Sequence, residues 1–389
     1  MSQPNLFRHQ AYKATRPVSP HHFLTPPSYP SVGSDEFRCR MQQVGAALHD
    51  AQVGAVYLVH GTFTGPDALG ILAELARVFP SASHAVRRVI KRIVDKLAGE
   101  AGNYTPDFAR CFEESISREG RPRTPVRLFH WSSENHHIGR ADGAVRLIDE
   151  LASLQLPAGR RVLLWGHSHA GNVFALVTNL LGGDRRAVER FFEASQIYYR
   201  WPIIGCTDIP VWHRVRGLLS GDASPLAAVP LDMVTFGTPI RYGWNSNGYA
   251  RLLHFINHRP AAGVPEYRAP FPPKLDDVLT AAAGDYVQQL GIAGTNVTPS
   301  LFAWRAWMAD NRLSRLLQEE SAAGGALERF RAGAIVPDEG TSLLVDYGPA
   351  EGSIAHHHAG HAVYTRKKWL LFHAEEVARR LYGAESPRA

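Results

Sequence analysis

The stretch Arg161-Val-Leu-Leu-Trp-Gly-His-Ser-His-Ala-Gly-Asn172 decides how this chain folds. It begins with a short apolar run, which predicts a buried strand over residues 162–165, and the glycine that follows marks a tight turn. The apolar residues after the turn predict a helix from about Gly171 to Leu181. Strand, turn and helix therefore succeed one another within about twenty residues.

Ser168 lies at this turn, with Gly166 two residues before it and Ala170 two residues after it. Small side chains are needed at those two positions because the strand and the helix approach closely there, while the serine is forced into a strained conformation. The strain lifts the hydroxyl clear of the sheet edge. It also directs the amide of His169 toward the place where an oxyanion would form.

Five other apolar segments predict strands of the same sheet. They cover residues 54–60, 125–131, 231–236, 252–257 and 341–347. Continuous apolar strands suit a parallel sheet that is covered on both faces. Because strands alternate with helices along the chain, we expect an α/β fold with a mostly parallel central sheet flanked by helices.

Three motifs carry a family resemblance, and in chain order they are Leu58-Val-His-Gly-Thr-Phe63, Gly166-His-Ser-His-Ala170 and Val234-Thr-Phe-Gly-Thr-Pro239. They resemble the α/β-hydrolase superfamily, and its lipase/esterase branch in particular. The resemblance extends over roughly residues 53–375, in motifs rather than continuously. It implies an α/β-hydrolase fold with cap or lid insertions, a catalytic triad with a serine nucleophile, and no cofactor or metal ion.

The resemblance also implies which residues form the nucleophile and the oxyanion hole. Ser168 would be the nucleophile, and the amide of His169 would be one oxyanion donor. The second donor follows the His-Gly pair after the preceding strand, which here is Thr62, with Phe63 as the near alternative. We expect Phe63 and Trp131 to contact the substrate, since Trp131 ends a strand at the edge where open α/β sheets bind ligands.

The family's triad order, serine then acid then histidine, points to the loop between the last strand and the last helix for the general base. That loop, residues 348–365, contains His356, His357, His358 and His361. His361 is nearest the predicted final helix, residues 366–382, and its surroundings resemble the C-terminal ends of lipases. We therefore predict that His361 is the base.

Two aspartates are candidates for the acid. Comparable lipases carry an Asp after the strand that ends here at Asn257, but this chain continues Asn257-His258-Arg259. Asp285 follows in the long loop, beside Gly284 and the pair Gln288-Gln289. Asp346 ends the last strand, close in sequence to the histidines. We favour Asp285 and keep Asp346 open, since Asp285 could instead cap a helix and Asp346 could pair with a surface arginine.

The remaining segments outline the domain organisation of the 389-residue chain. Residues 1–35 are rich in proline and predict an extended or disordered arm that holds neither a helix nor a ladder. Residues 36–389 predict one domain with insertions at about 184–230 and 259–332. The aromatic residues of the first insertion predict a cap with an apolar acyl site. The second insertion predicts a helix with an apolar stripe formed by Trp304, Trp307, Leu313, Leu316 and Leu317.

Residues 84–97 predict an amphipathic helix that has two interpretations. It could pack on the body of the domain, or it could be a lid or interfacial helix that contacts lipid. No apolar run in the sequence approaches the ~18 residues that a transmembrane helix needs.

Composition narrows the class of partner and the compartment. The net charge is +6, but the basic residues are dispersed and no nucleic-acid-binding module is recognisable, so we expect no nucleic-acid partner. Three widely separated cysteines predict a reducing, cytoplasmic compartment without a disulfide framework. The N-terminus lacks the pattern of a secretory signal.

These observations predict a serine hydrolase that cleaves a small-molecule carboxylic ester with an apolar acyl chain, with thioesters and amides left open. A metal-dependent hydrolase is the first alternative, because zinc sites use histidine ligands and His136 and His137 could join the histidine-rich loop 356–361. An inactive α/β-hydrolase fold that serves as a binding module is the second.

Overall fold

Seven parallel strands form the central sheet of the computed structural model. The structure describes residues 17, 19–61, 102–200, 208–221, 226, 228–239, 241–271, 273–293, 299, 303–317 and 331–383. The strands are β1 (His21–Leu24), β2 (Val53–Val59), β3 (Val126–Phe129), β4 (Arg161–His167), β5 (Leu231–Phe236), β6 (Arg251–Asn257) and β7 (Thr341–Val345). Their order across the sheet is β1-β7-β6-β5-β4-β2-β3.

Helices flank this sheet. They are α1 (Asp35–Asp50), α2 (Pro106–Ile116), α3 (His137–Ala152), α4 (Ala170–Gly182), α5 (Arg185–Tyr199), α6 (Pro210–Ser220), α7 (Leu275–Thr280), α8 (Tyr286–Ala293), α9 (Trp304–Leu317), α10 (Ile354–His357) and α11 (Leu370–Tyr382). Short 3-10 turns cover Ser246–Gly248, His358–Thr365 and Lys367–Trp369.

The sheet separates two apolar cores, as the alternation of side chains along β4 illustrates. Leu163 and Trp165 face the core shared with α1, α2 and α11. Val162 and Leu164 face the core shared with α3, α4, α5, α6 and α9. Strands covered on both faces read as continuous apolar runs, which is why the sequence predicted them well. The predicted α/β class is confirmed.

The order of the strands creates a switch point between β2 and β4. From β2 the chain moves outward to β3, whereas from β4 it moves in the opposite direction to β5. In open α/β sheets, ligands bind beside such a switch point, at the carboxyl ends of the strands. His60 and Ser168 lie immediately after these two strands.

The prediction that residues 1–35 hold no ladder is wrong for residues 21–24. These residues form β1, which pairs in parallel with β7 at the edge of the sheet, with Leu24 opposite Val345. The prolines flank the strand instead of interrupting it, and an edge strand tolerates such neighbours. Ser34 then begins α1, because its side chain accepts a hydrogen bond from the amide of Phe37.

The aromatic residues of the 184–230 insertion that the structure describes are buried in the core instead of lining a pocket, whereas Trp201 lies outside the described residues. Phe191, Phe192, Tyr199 and Trp212 are fully buried in the core beside α3. The indole of Trp212 stacks on Tyr199 with ring centroids 5.0 Å apart, and its Nε1–H donates to Asp142 Oδ1 over 2.8 Å. These side chains hold α5 and α6 against the sheet layer.

The apolar stripe predicted for residues 301–332 is only partly correct. In α9 the buried face contains Ala309, Leu313 and Leu317, whereas Trp304 and Trp307 are exposed. Helical periodicity places the tryptophans beside the small residues of the buried face, not on it. The helix predicted over residues 84–97 lies outside the described residues.

Candidate active site

The turn after β4 holds Ser168 in a left-handed conformation, with φ of 57°. Its N–H donates to Phe236 O over 2.8 Å, and its own carbonyl accepts from Thr238 Oγ1 over 2.8 Å. The end of β5 and the residues just after it therefore hold the turn through two hydrogen bonds. A Cβ on Gly166 would lie 2.5 Å from the ring of Phe174, so only glycine fits there. A non-glycine residue at positive φ stores strain, which marks functional turns.

The loop after β2 packs directly against this serine. A Cβ on Gly61 would lie 2.6 Å from Ser168 Cβ. Ser133 Oγ donates to Gly61 O over 2.9 Å, and Trp131 Nε1–H donates to His60 O over 2.8 Å. Trp131, which we predicted to contact substrate, is 3% exposed and fixes the backbone of this loop.

Two oxyanion donors were predicted, and the structure describes only one of them, the amide of His169. His169 is the N-cap residue of α4, and its amide is among the N–H groups at a helix N-terminus that have no intrahelical acceptor and carry partial positive charge. Thr62 and its alternative Phe63 lie outside the described residues.

Asp285 and His361 meet in a buried hydrogen bond. The Nδ1 atom of His361 is 2.7 Å from Asp285 Oδ2, and the other carboxylate oxygen accepts the amide of Gln288 over 2.8 Å. Asp346 lies elsewhere and forms an ion pair with Arg259 over 3.0 Å. Of the two candidate acids, the structure brings Asp285 to His361.

Asn257 holds both loops of this pair in place. Its carbonyl accepts the amide of Asp285 over 2.9 Å, and its Nδ2 donates to Gly360 O over 2.9 Å. The loops touch so closely that a Cβ on Gly360 would lie 2.1 Å from Gly284 O. The stretch after β6 where the resemblance expects an aspartate therefore begins with the residue that brings Asp285 and His361 together.

The serine turn and the histidine loop are also in contact. The Nε2–H of His167, the residue before Ser168, donates to His361 O over 3.2 Å, and the two imidazole ring centroids are 4.5 Å apart. Gly237 lies between β5 and the acid, because a Cβ there would be 2.7 Å from Asp285 Oδ2. The buried Nε2 of His361 has no hydrogen-bond partner among the described residues.

The histidines beside the serine remain neutral at neutral pH. Burial lowers the pKa of His167 well below its ordinary value, and the charge of His361 adds to the effect. Burial likewise lowers the pKa of His169, with Arg140 as the next cause. Desolvation disfavours the charged imidazolium in both cases. These two side chains therefore do not act as general acids at neutral pH.

Tyr364 completes the site and was not predicted, although it lies only three residues after His361. Its hydroxyl donates to Asp285 Oδ2 over 3.1 Å and accepts the amide of Asn257 over 2.6 Å. The only signal in the sequence is the spacing of three residues between His361 and Tyr364, which puts both side chains on one face of a 3-10 turn.

The histidine-rich loop does not converge on one point. His356 bonds to Ser353, whereas His361 bonds to Asp285. His136 and His137 lie at the start of α3, where Nδ1 of His137 is 2.7 Å from Tyr242 Oη. Within the described ranges, no group of three or more His, Cys, Asp or Glu residues is arranged to hold a metal ion.

Comparisons with known proteins complete the description of the site. A scan against protein-family models found no matching family, and searches of curated proteins and of solved structures found no match. In the part of the chain that the structure describes, no helix is both long enough and apolar enough to span a bilayer.

Proposed function

We propose that this chain is an α/β-hydrolase-type serine hydrolase that cleaves carboxylic esters. Ser168 is the nucleophile, His361 the general base and Asp285 the acid. The observation that carries the proposal is the orientation of His361, whose Nδ1 bonds to Asp285 while its Nε2 remains without a described partner. A base in a triad needs one nitrogen held by a carboxylate and the other available for proton exchange.

The order and surroundings of these residues support the same proposal. Ser168, Asp285 and His361 follow one another in the triad order of α/β-hydrolases. Ser168 has positive φ at a strand-to-helix turn, as a nucleophile elbow requires. The turn lies at the switch point of the sheet, where a ligand crevice is expected.

The reaction is acyl transfer in two stages. Ser168 Oγ attacks the ester carbonyl carbon, and its proton passes to Nε2 of His361. The oxyanion receives hydrogen bonds from the His169 amide and from a second donor, for which Thr62 is our candidate. The carbon–oxygen bond to the alcohol then breaks, and the alcohol leaves with the proton from His361. Water attacks the acyl-enzyme by the same steps and restores Ser168. Asp285 stabilises the transient imidazolium throughout.

The described aromatic residues of the 184–230 insertion give no support for an apolar acyl chain, because they are buried in the core. Residues 84–97 keep the expectation open, so chain length is varied in the test.

The test is hydrolysis of p-nitrophenyl esters of increasing chain length. We expect Ser168→Ala and His361→Ala each to lower kcat by roughly 10⁴–10⁶-fold, and Asp285→Asn by about 10⁴-fold, because triad members act as a unit. Asp346→Asn is the matched control and keeps wild-type activity, since Asp346 pairs with Arg259.

An active Ser168→Ala variant would contradict the proposal. So would wild-type protein that hydrolyses no ester and is not labelled by a serine-directed organophosphonate, and that result would favour the binding module. Loss of activity in Asp346→Asn with a fully active Asp285→Asn would reject the assigned acid.

A further inference from the structure

Tyr364 and His361 share one oxygen of Asp285. The hydroxyl of Tyr364 donates to Asp285 Oδ2 over 3.1 Å, and the imidazole Nδ1 is 2.7 Å from the same atom. All three side chains are buried, and Tyr364 is fully buried. The two donors therefore compete for the charge on one carboxylate oxygen in a site of low dielectric, where such bonds are strong.

The phenol is held so that its proton faces the carboxylate. The Asn257 amide donates to Tyr364 Oη over 2.6 Å, so the hydroxyl proton is free to point only toward Asp285. Burial, followed by the charge of Asp285, raises the pKa of Tyr364 well above its ordinary value. The phenol thus stays protonated and donates throughout the pH range of an assay.

We propose that Tyr364 is a positioning residue for the triad: its hydroxyl aligns the Asp285 carboxylate and moderates the basicity of His361. This inference rests on the proposed function. A hydrogen bond to Oδ2 withdraws negative charge from the atom that stabilises the imidazolium, so it lowers the affinity of His361 for a proton. The same hydrogen bond also keeps the plane of the carboxylate aligned with Nδ1 of His361.

The experiment compares Tyr364→Phe with Tyr347→Phe. Tyr347 is a matched control because it is also buried, its ring packs edge-on against Tyr364, and its hydroxyl bonds to His373 over 2.7 Å instead of to Asp285. Each variant loses one buried hydroxyl and keeps its ring. The readouts are the pH profile of kcat/KM for a p-nitrophenyl ester and an NMR titration of the His361 imidazole.

We expect Tyr364→Phe to lower kcat by about 10-fold with little change in KM. We also expect it to raise the midpoint of the acidic limb, and of the NMR titration, by about 0.5–1 pH unit relative to wild type. Tyr347→Phe should reproduce both wild-type midpoints. The inference is overturned if Tyr364→Phe leaves the His361 midpoint unchanged or lowers it, or if Tyr347→Phe shifts it equally. The NMR titration does not depend on turnover, so it judges this inference even if ester hydrolysis is absent and the proposed function fails.

Discussion

Asn257 shows most clearly how a single residue can hold two loops together, through its carbonyl and its side-chain amide. An aspartate at this position would set a carboxylate against the Gly360 carbonyl, which now accepts from Asn257 Nδ2. It would also bring a second negative charge near Asp285, whose amide bonds to the Asn257 carbonyl. The polar amide is therefore required by the loops around it.

We expect Asn257→Asp to lower kcat/KM by at least about 10-fold and to destabilise the fold by about 1–3 kcal/mol, since a buried acceptor loses its donor. Urea unfolding and ester hydrolysis measure the two effects. Asn311→Asp, at an exposed position of α9, is the control and should change neither. Equal activity of Asn257→Asp and wild type would mean that the contact with Gly360 is dispensable.

At the scale of single residues, the sequence predicted the parts of the site that depend on local pattern. The turn that carries Ser168 was predictable because a strand, small residues and a helix surround it in sequence. The choice of Asp285 over Asp346 was left open because it depends on a contact between loops 76 positions apart. The contacts of Asn257 and Tyr364 were missed because they form only when the loops that carry Asn257, Asp285 and His361 meet.

At the scale of elements, apolar runs and aromatic clusters differed in how well they predicted structure. The strand runs were predictable since both faces of the sheet are covered. The aromatic insertion was misinterpreted because an aromatic residue buries a large area equally well in a core or in a pocket. Only the contacts of α6 with α3 decide between the two, and they place Trp212 beside Asp142.

The buried position of Trp212 can be tested by truncation. We expect Trp212→Ala to destabilise the fold by about 3–5 kcal/mol through the cavity it leaves, while the chain-length preference of the remaining folded enzyme is unchanged. Trp307→Ala, at a side chain that is 42% exposed, should cost less than about 1 kcal/mol. Calorimetry and the ester series provide the measurements. A changed chain-length profile in Trp212→Ala would restore the prediction of an aromatic acyl pocket.

For the whole molecule, the strand order matters more than any single strand. The sequence predicted a parallel sheet, but the switch point between β2 and β4 and the place of β1 beside β7 are long-range pairings that no local pattern specifies. Sequence motifs alone could therefore locate Ser168 on a turn without showing which other loops meet it. The meeting of the loops that carry Ser168, Asp285 and His361 follows from the topology.

Buried histidines make the stability of the molecule depend on pH. Burial lowers the pKa of His254 to about 4 and that of His373 to about 3. Both are neutral in the folded protein, whereas in the unfolded chain they bind a proton near pH 6.5. Below pH 6.5 the unfolded state therefore binds more protons, so stability falls as pH falls, until each folded-state pKa is reached. Above pH 6.5 both imidazoles are neutral in the folded and the unfolded chain, so their titration no longer lowers stability.

At pH 5, each histidine lowers the free energy of unfolding by about 2 kcal/mol relative to pH 7.5, since pH 5 lies about 1.5 units below the pKa of histidine in the unfolded chain. Urea unfolding at the two pH values measures the loss. We expect His373→Phe to be less stable at pH 7.5, because Tyr347 loses the acceptor of its hydroxyl, yet to lose about 2 kcal/mol less than wild type between the two pH values. If the variant and wild type lose stability equally, His373 does not remain neutral in the fold. A smaller loss shows that part of the acid sensitivity of the domain comes from the His373 imidazole on α11, far along the chain from the serine turn.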